Sequence, residues 1–255
     1  MPAPAYKDPT PRVATAPAAG IHAAPDLGAE QQDQLLFGEG FEVLEEKDGW
    51  AWGQARRDGY VGYVQAEALG PVGAASTHRV AAIRTYAFAE PSIKARALGP
   101  YSLNVLVSAE ASEGRFVKAQ GSGWFVADHL APIGLFETDP VPVALRYLGA
   151  PYLWGGRESL GLDCSGLVQQ ALLACGRACP RDTDQQQGLG HGVEPQDLQA
   201  GDLVFWRGHV AMMTDAVSIV HANAFHMAVA VEPLAQAIAR IAAGPTGEPI
   251  AYRRP

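Results

Sequence analysis

Nothing in this sequence of 255 residues approaches the roughly 18–20 consecutive apolar positions that a membrane-spanning helix needs. The first twenty residues lack the unbroken apolar stretch of a secretory signal, because Pro, Lys and Asp interrupt every run. With Met1 as the natural start, a cytoplasmic location is expected and no membrane partner. Basic residues are outnumbered: 19 Lys and Arg stand against 27 Asp and Glu, a formal charge of −8. A nucleic-acid partner needs a basic face, so none is expected. Cysteine is scarce. The three, Cys164, Cys175 and Cys179, are an odd number, which makes a poor disulfide framework and fits a reducing compartment. Cys175 and Cys179 have no His or Cys pair at ligand spacing, so no metal is expected and both read as small apolar residues. There is no glycine-rich phosphate loop. Gly155-Gly156 reads as a turn, and no nucleotide or redox cofactor is expected. No obligate protein partner is evident.

What is present begins with a repeat. Thr10-Pro11-Arg12-Val13-Ala14 is echoed by Thr77-His78-Arg79-Val80-Ala81, and Trp50-Ala51-Trp52-Gly53-Gln54-Ala55 by Arg115-Phe116-Val117-Lys118-Ala119. Gly62-Tyr63-Val64 and Ala68-Leu69-Gly70-Pro71 return as Gly123-Trp124-Phe125-Val126 and His129-Leu130-Ala131-Pro132. Each echo falls 61 to 67 residues after its partner, which implies two copies of one small domain, 1–74 and 75–138. Short apolar runs bounded by Gly, Asp, Ser and Asn make each copy strand-rich, and the copy size predicts small β-barrels.

After Asp139-Pro140-Val141-Pro142 the texture changes, and residues 139–255 read as a third domain. Helical spacing runs from Val143 to Gly149, with Val143, Tyr147 and Leu148 on one face. A second helix is predicted over Ser165–Cys175, stopped by Gly176. Strands follow at 201–206, 210–213 and 218–222, with a turn near Asp215-Ala216. Helices first and antiparallel strands afterwards give an α+β domain.

Cys164 stands where a helix begins, within Asp163-Cys164-Ser165-Gly166. Unpaired N–H groups there favour a thiolate, the form that attacks a carbonyl, and can donate to the oxyanion that results. His209 opens one apolar strand and His221 closes the next. A hairpin brings such positions side by side, with His209 as the base and His221 orienting its ring. His191 and His226 are expected on loops.

These segments together resemble the NlpC/P60 family of papain-like cysteine peptidases. The resemblance rests on Pro151-Tyr152-Leu153-Trp154-Gly155-Gly156, Leu162-Asp163-Cys164-Ser165-Gly166-Leu167-Val168, Pro180-Arg181-Asp182-Thr183-Asp184-Gln185-Gln186, Ala200-Gly201-Asp202-Leu203-Val204-Phe205-Trp206, His209-Val210-Ala211 and His221-Ala222-Asn223. Upstream, Gln34-Leu35-Leu36-Phe37-Gly38-Glu39, Gly49-Trp50 and Asp58-Gly59-Tyr60-Val61-Gly62-Tyr63-Val64 are similar to the first bacterial SH3-like domain of murein-peptide peptidases. The resemblance implies a papain-like α+β catalytic domain behind two SH3-like β-barrels. It implies hydrolysis after γ-D-glutamate in murein tri- and tetrapeptides that begin with free L-Ala, with a diamino acid leading the leaving group. It also implies that Asp163, Glu39 and Tyr60 face the substrate amine, Tyr63 being the alternative to Tyr60 and a solvated turn the alternative for Glu39. Tyr152 would support the oxyanion, and Ser165 would bind substrate backbone. An exported hydrolase of intact peptidoglycan and a non-catalytic wall-binding module are the competing readings.

Overall fold

The computed structural model describes residues 8–255 and divides into two compact units, Met1–Ile133 and Gly134–Pro255. Residues 1–7, including the expected start at Met1, lie outside the described residues.

The first unit holds both repeats. One contains β1 (Thr10–Ala14), β2 (Ala18–His22), β3 (Gln31–Leu36), β4 (Gly40–Lys47), β5 (Trp50–Ala55), β6 (Val61–Gln65) and β7 (Leu69–Pro71). They form one sheet in the order β3-β2-β6-β5-β4-β1-β7. The other contains β8 (His78–Val80), β9 (Arg84–Phe88), β10 (Ala97–Ser102), β11 (Leu106–Val107), β12 (Ala109–Glu113), β13 (Phe116–Ala119), β14 (Gly123–Val126) and β15 (Leu130–Pro132). The echoed segments occupy matching elements. A 3-10 turn links β6 to β7 at Ala66–Ala68, and another links β14 to β15 at Ala127–His129.

Among the described residues, however, no closed barrel is shown. The seven-stranded ladder stays open between β3 and β7, and the second repeat splits into sheets of five and three strands. Two features oppose closure. The edge strand β7 ends in Pro71, which has no N–H to donate. The β9–β10 register shifts between Leu98 and Tyr101, around Pro100. The repeats also share side chains: Leu36 and Phe37 of the first pack with Val80, Val105 and Phe125 of the second.

The second unit contains α1 (Pro140–Leu145), the hairpin β16 (Arg157–Glu158) and β17 (Gly161–Leu162), α2 (Cys164–Ala174) and α3 (Thr183–Gln186). Then come β18 (His191–Gly192), β19 (Leu203–Trp206), β20 (His209–Met213), β21 (Ser218–Asn223), β22 (Ala228–Pro233), α4 (Leu234–Ala242) and β23 (Ala251–Arg254). The sheet order is β18-β23-β19-β20-β21-β22, all antiparallel. Helix α1 is shorter than its spacing predicts. It ends at Leu145, the chain continues in tight turns to Gly149, and Leu148 is exposed rather than sharing the buried face of Val143 and Tyr147. His191 falls on the short edge strand β18 instead of a loop.

Strand alternation sorts the sheet. Val204, Trp206, Ala211, Met213 and Ile219 pack with Ala237 of α4. His209 shares a strand face with Ala211 and Met213, so it lies on the α4 side. The β20–β21 and β21–β22 registers, Met213↔Ile219 and Ile219↔Glu232, put His221 and Glu232 on that side as well.

Candidate active site

Helix α2 opens at Cys164 because Asp163 caps it. The Asp163 Oδ1 accepts from the Gly166 N–H at 2.8 Å, which satisfies an orphan donor of the first turn. The same carboxylate accepts from the Gly155 N–H at 2.8 Å and from the Ser165 hydroxyl at 3.2 Å. Arg181 closes on it with both arms, Nη2 to Oδ2 at 2.6 Å and Nη1 to Oδ1 at 3.0 Å, and also donates to Ser165 Oγ at 2.8 Å. Arg181 and Asp163 are both buried. Desolvating this pair is compensated by bidentate geometry and by backbone donors. Gln186 of α3 donates to the carbonyls of Ser165 and Pro180, tying the loop that carries Arg181 to the helix start.

The Cys164 sulfur receives the backbone N–H of Val210 and lies 4.0 Å from the Thr183 hydroxyl. Val210 follows His209 in β20, so this bond ties the strand of the histidine to the sulfur. Burial pushes the Cys164 thiol up to about 11, with the Asp163 charge adding to the rise, and outweighs the Val210 and Thr183 hydrogen bonds and the Arg181 charge that oppose it. Desolvation thus dominates among these influences, and the resting sulfur is a thiol. Tyr152 stands near enough that Cys164 and Asp163 both act on it. Burial first, then those charges, hold its phenol protonated and able to donate.

The histidines lie side by side. His209 Nε2 is 2.8 Å from His221 Nδ1, with the rings tilted at 59°. The expected turn is built by Asp215, whose Oδ1 accepts from the N–H groups of Val217 and Ser218. Burial lowers His209 to about 3 and His221 to about 4, so both rings are neutral near pH 7.

Two residues that sequence reasoning missed extend this row. His221 Nε2 is 2.7 Å from Glu232 Oε1, and Arg240 of α4 grips both oxygens of Glu232 at 2.5 Å. The ring of Phe225 covers the Arg240 guanidinium at 4.4 Å. His221, His226 and Glu232 bring three atoms capable of holding a metal within 4.8 Å of one another. Glu232, though, is engaged by Arg240 on both oxygens, and His226 Nδ1 bonds Asn223 Oδ1 at 2.9 Å.

Glu39 and Tyr60 belong to the first unit. Glu39 is buried, so it is not a solvated turn residue. Its Oε2 accepts from the Leu36 N–H at 3.1 Å, and its Oε1 pairs with Arg57. Tyr60 is partly buried and packs against that repeat's core.

Residues 149–240 match the model of the NlpC/P60 family, and residues 21–69 match that of the bacterial dipeptidyl-peptidase SH3 domain. The chain carries an NlpC/P60 cysteine-peptidase domain behind a bacterial SH3 domain. The dipeptidyl-peptidase 6 of Lysinibacillus sphaericus is 27% identical over 232 residues, covering 80% of this chain and 84% of that protein. The gamma-D-glutamyl-L-lysine dipeptidyl-peptidase of Bacillus subtilis is 31% identical over 199 residues, 69% of this chain and 64% of that one. An NlpC/P60 family protein from Bacillus cereus, known from its crystal structure, superposes with a TM-score of 0.81 at 20% identity, covering 96% of this chain and 99% of its own. That likeness shows the shared fold. The NlpC/P60 domain has the papain-like fold, and the described chain taken together is β-rich with few helices. No helix among the described residues is long and apolar enough to cross a membrane.

Proposed function

We propose that the chain hydrolyses the bond between γ-D-glutamate and a diamino acid in murein tri- and tetrapeptides with free N-terminal L-Ala. The observation that carries the catalytic part is the Cys164 sulfur at the start of α2, bonded by the amide next to His209, whose ring is held by His221. Cys164 is the nucleophile, His209 the base and His221 the orienting group. Substrate binding brings the carbonyl to the sulfur. The thiol proton passes to His209 as the C–S bond forms, so two buried charges appear together and compensate each other. N–H groups of the α2 first turn and the Tyr152 hydroxyl receive the oxyanion. His209 then returns the proton to the departing amine, and water releases the dipeptidyl acyl group by the reverse sequence.

The substrate class is supported by the relatives named dipeptidyl-peptidase and gamma-D-glutamyl-L-lysine dipeptidyl-peptidase. Recognition of the free amine by Asp163, Glu39 and Tyr60, and of substrate backbone by Ser165, rests on sequence resemblance. Asp163 already accepts five hydrogen bonds, two at Oδ2 and three at Oδ1, so a substrate ammonium would share Oδ2 with the Gly155 N–H and Arg181. The division into domains 1–74, 75–138 and 139–255 is part of the same proposal. An enzyme that needs the free amine acts on peptides already detached from the glycan, where L-Ala is otherwise amide-linked. That is a recycling step, and it is the reason for proposing a cytoplasmic location.

The test compares L-Ala-γ-D-Glu-diaminopimelate with its N-acetyl form by mass analysis of the products. Acetylation removes the charge that the carboxylates would recognise and adds bulk at the amine position, so a loss of about 100-fold or more in kcat/KM is expected. Equal cleavage of both peptides would favour a hydrolase of intact wall.

A further inference from the structure

We propose that Glu232 and Arg240 are positioning residues that set the tautomer of His209, leaving its Nδ1 as the bare nitrogen that takes the Cys164 proton. The inference rests on the Cys164–His209–His221 reading and adds a part that reading does not contain.

The tautomer follows from which groups can donate. Glu232 is buried at 8% exposure, yet Arg240 and His221 bond its oxygens and more than offset the burial that would raise it, so it is ionised. An ionised carboxylate only accepts. His221 Nε2, at 2.7 Å, must therefore carry the proton and donate. His221 is 1% exposed and neutral, so its other nitrogen, Nδ1, is bare and must accept. Its neighbour at 2.8 Å is His209 Nε2, which must then be the N–H. A neutral His209 protonated at Nε2 has its lone pair on Nδ1. The direction of the whole row is thus fixed at its far end by the one member that cannot donate.

Arg240 has a separate task. The groups facing His221 are His209, Glu232, Arg240 and His226. The Glu232 charge favours protonation of His221, and Arg240 opposes it. Without Arg240, His221 would more readily carry protons on both nitrogens. Its Nδ1–H would then donate to His209 Nε2 and force the His209 proton onto Nδ1, where it blocks the base. Arg240 lets Glu232 orient the row without charging it.

The experiment uses the full chain with Glu232→Gln, Arg240→Met and His209→Ala, measuring kcat, KM, the pH profile and the histidine ring nitrogens by 15N NMR. A Gln amide can turn its NH2 towards His221 and reverse the row. In Glu232→Gln, kcat should fall about 100-fold with KM changed less than about threefold, because a wrongly protonated base disables chemistry rather than binding. The His209 proton should move from Nε2 to Nδ1. Arg240→Met should shift the acid limb of kcat/KM to higher pH, and it carries the test if Glu232→Gln does not fold. A wild-type His209 protonated at Nδ1, or an Arg240→Met acid limb identical to wild type, would overturn the proposal. So would a Glu232→Gln kcat within about twofold of wild type, well short of what a misplaced proton costs. The underlying reading fails separately, if His209→Ala retains turnover. An inactive His209→Ala beside fully wild-type Glu232→Gln and Arg240→Met would reject the positioning role alone.

Discussion

The site contains two carboxylate–guanidinium pairs, and they do different work. Asp163–Arg181 lies under the nucleophile, and Glu232–Arg240 lies behind the histidines. The Asp163 carboxylate is occupied by backbone N–H groups of Gly155 and Gly166 as well as by Arg181, so it holds the shape of the chain around Cys164. The Glu232 carboxylate meets one ring nitrogen and Arg240, so it holds the position of a proton. Their burial differs to match. The Arg181 side chain is 1% exposed, whereas that of Arg240 is 25% exposed. The two carboxylates are buried alike and only the guanidiniums lie at different depths, which couples one pair to folding and the other to chemistry.

The largest expected effect separates the pairs by stability. Arg181→Met strands a buried carboxylate and should cost about 3–5 kcal/mol, measured by urea unfolding at pH 7. Arg240→Met also leaves a buried carboxylate, but on the side where its partner is 25% exposed and water can replace it, so it should cost less than Arg181→Met while still disturbing turnover. Equal losses of stability would remove the distinction.

A smaller effect sharpens the chemical side. Burial lowers both histidines, so the base stays neutral until the pH falls through about 4 for His221 and about 3 for His209. Activity should hold from neutral pH down to about pH 5 and fall only below it, whereas an unperturbed histidine would give a midpoint near 6.5. The same shifts cost stability in acid. Unfolded histidines bind protons from about pH 6.5 downwards, so the folded state is progressively disfavoured between there and the lowered values. Circular dichroism alongside the kinetics separates the two losses. An acid limb near 6.5 in folded enzyme would mean that these rings are far better solvated than their burial implies.

The two pairs also differ in how far they could be read from sequence. Asp163, Cys164 and Ser165 are adjacent, and a polar cap before an apolar helix announces itself. His209 and His221 sit on strands whose apolar neighbours fix a hairpin. Glu232 gives the opposite signal. In Ala228-Val229-Ala230-Val231-Glu232, alternation suggests valines inside and Glu outside, yet Val231 is 45% exposed and Glu232 is buried. Only the β21–β22 register and the arrival of Arg240 on α4 explain that inversion, and neither is a local property. Arg181 was visible within a motif, but a buried arginine needs a tertiary partner that spacing does not reveal. The barrels failed for a similar reason. Strand content is local, whereas ladder order and closure depend on which edges meet.

The central claim is that Cys164 attacks the substrate and carries its acyl half. The most direct measurement is rapid acid quench of enzyme mixed with L-Ala-γ-D-Glu-diaminopimelate, followed by proteolysis and mass spectrometry. The account predicts an L-Ala-γ-D-Glu acyl group on the peptide bearing Cys164, none on the segment containing Cys175 and Cys179, and no turnover by Cys164→Ala. An acyl group on another residue, or hydrolysis by Cys164→Ala at the wild-type rate, would contradict it.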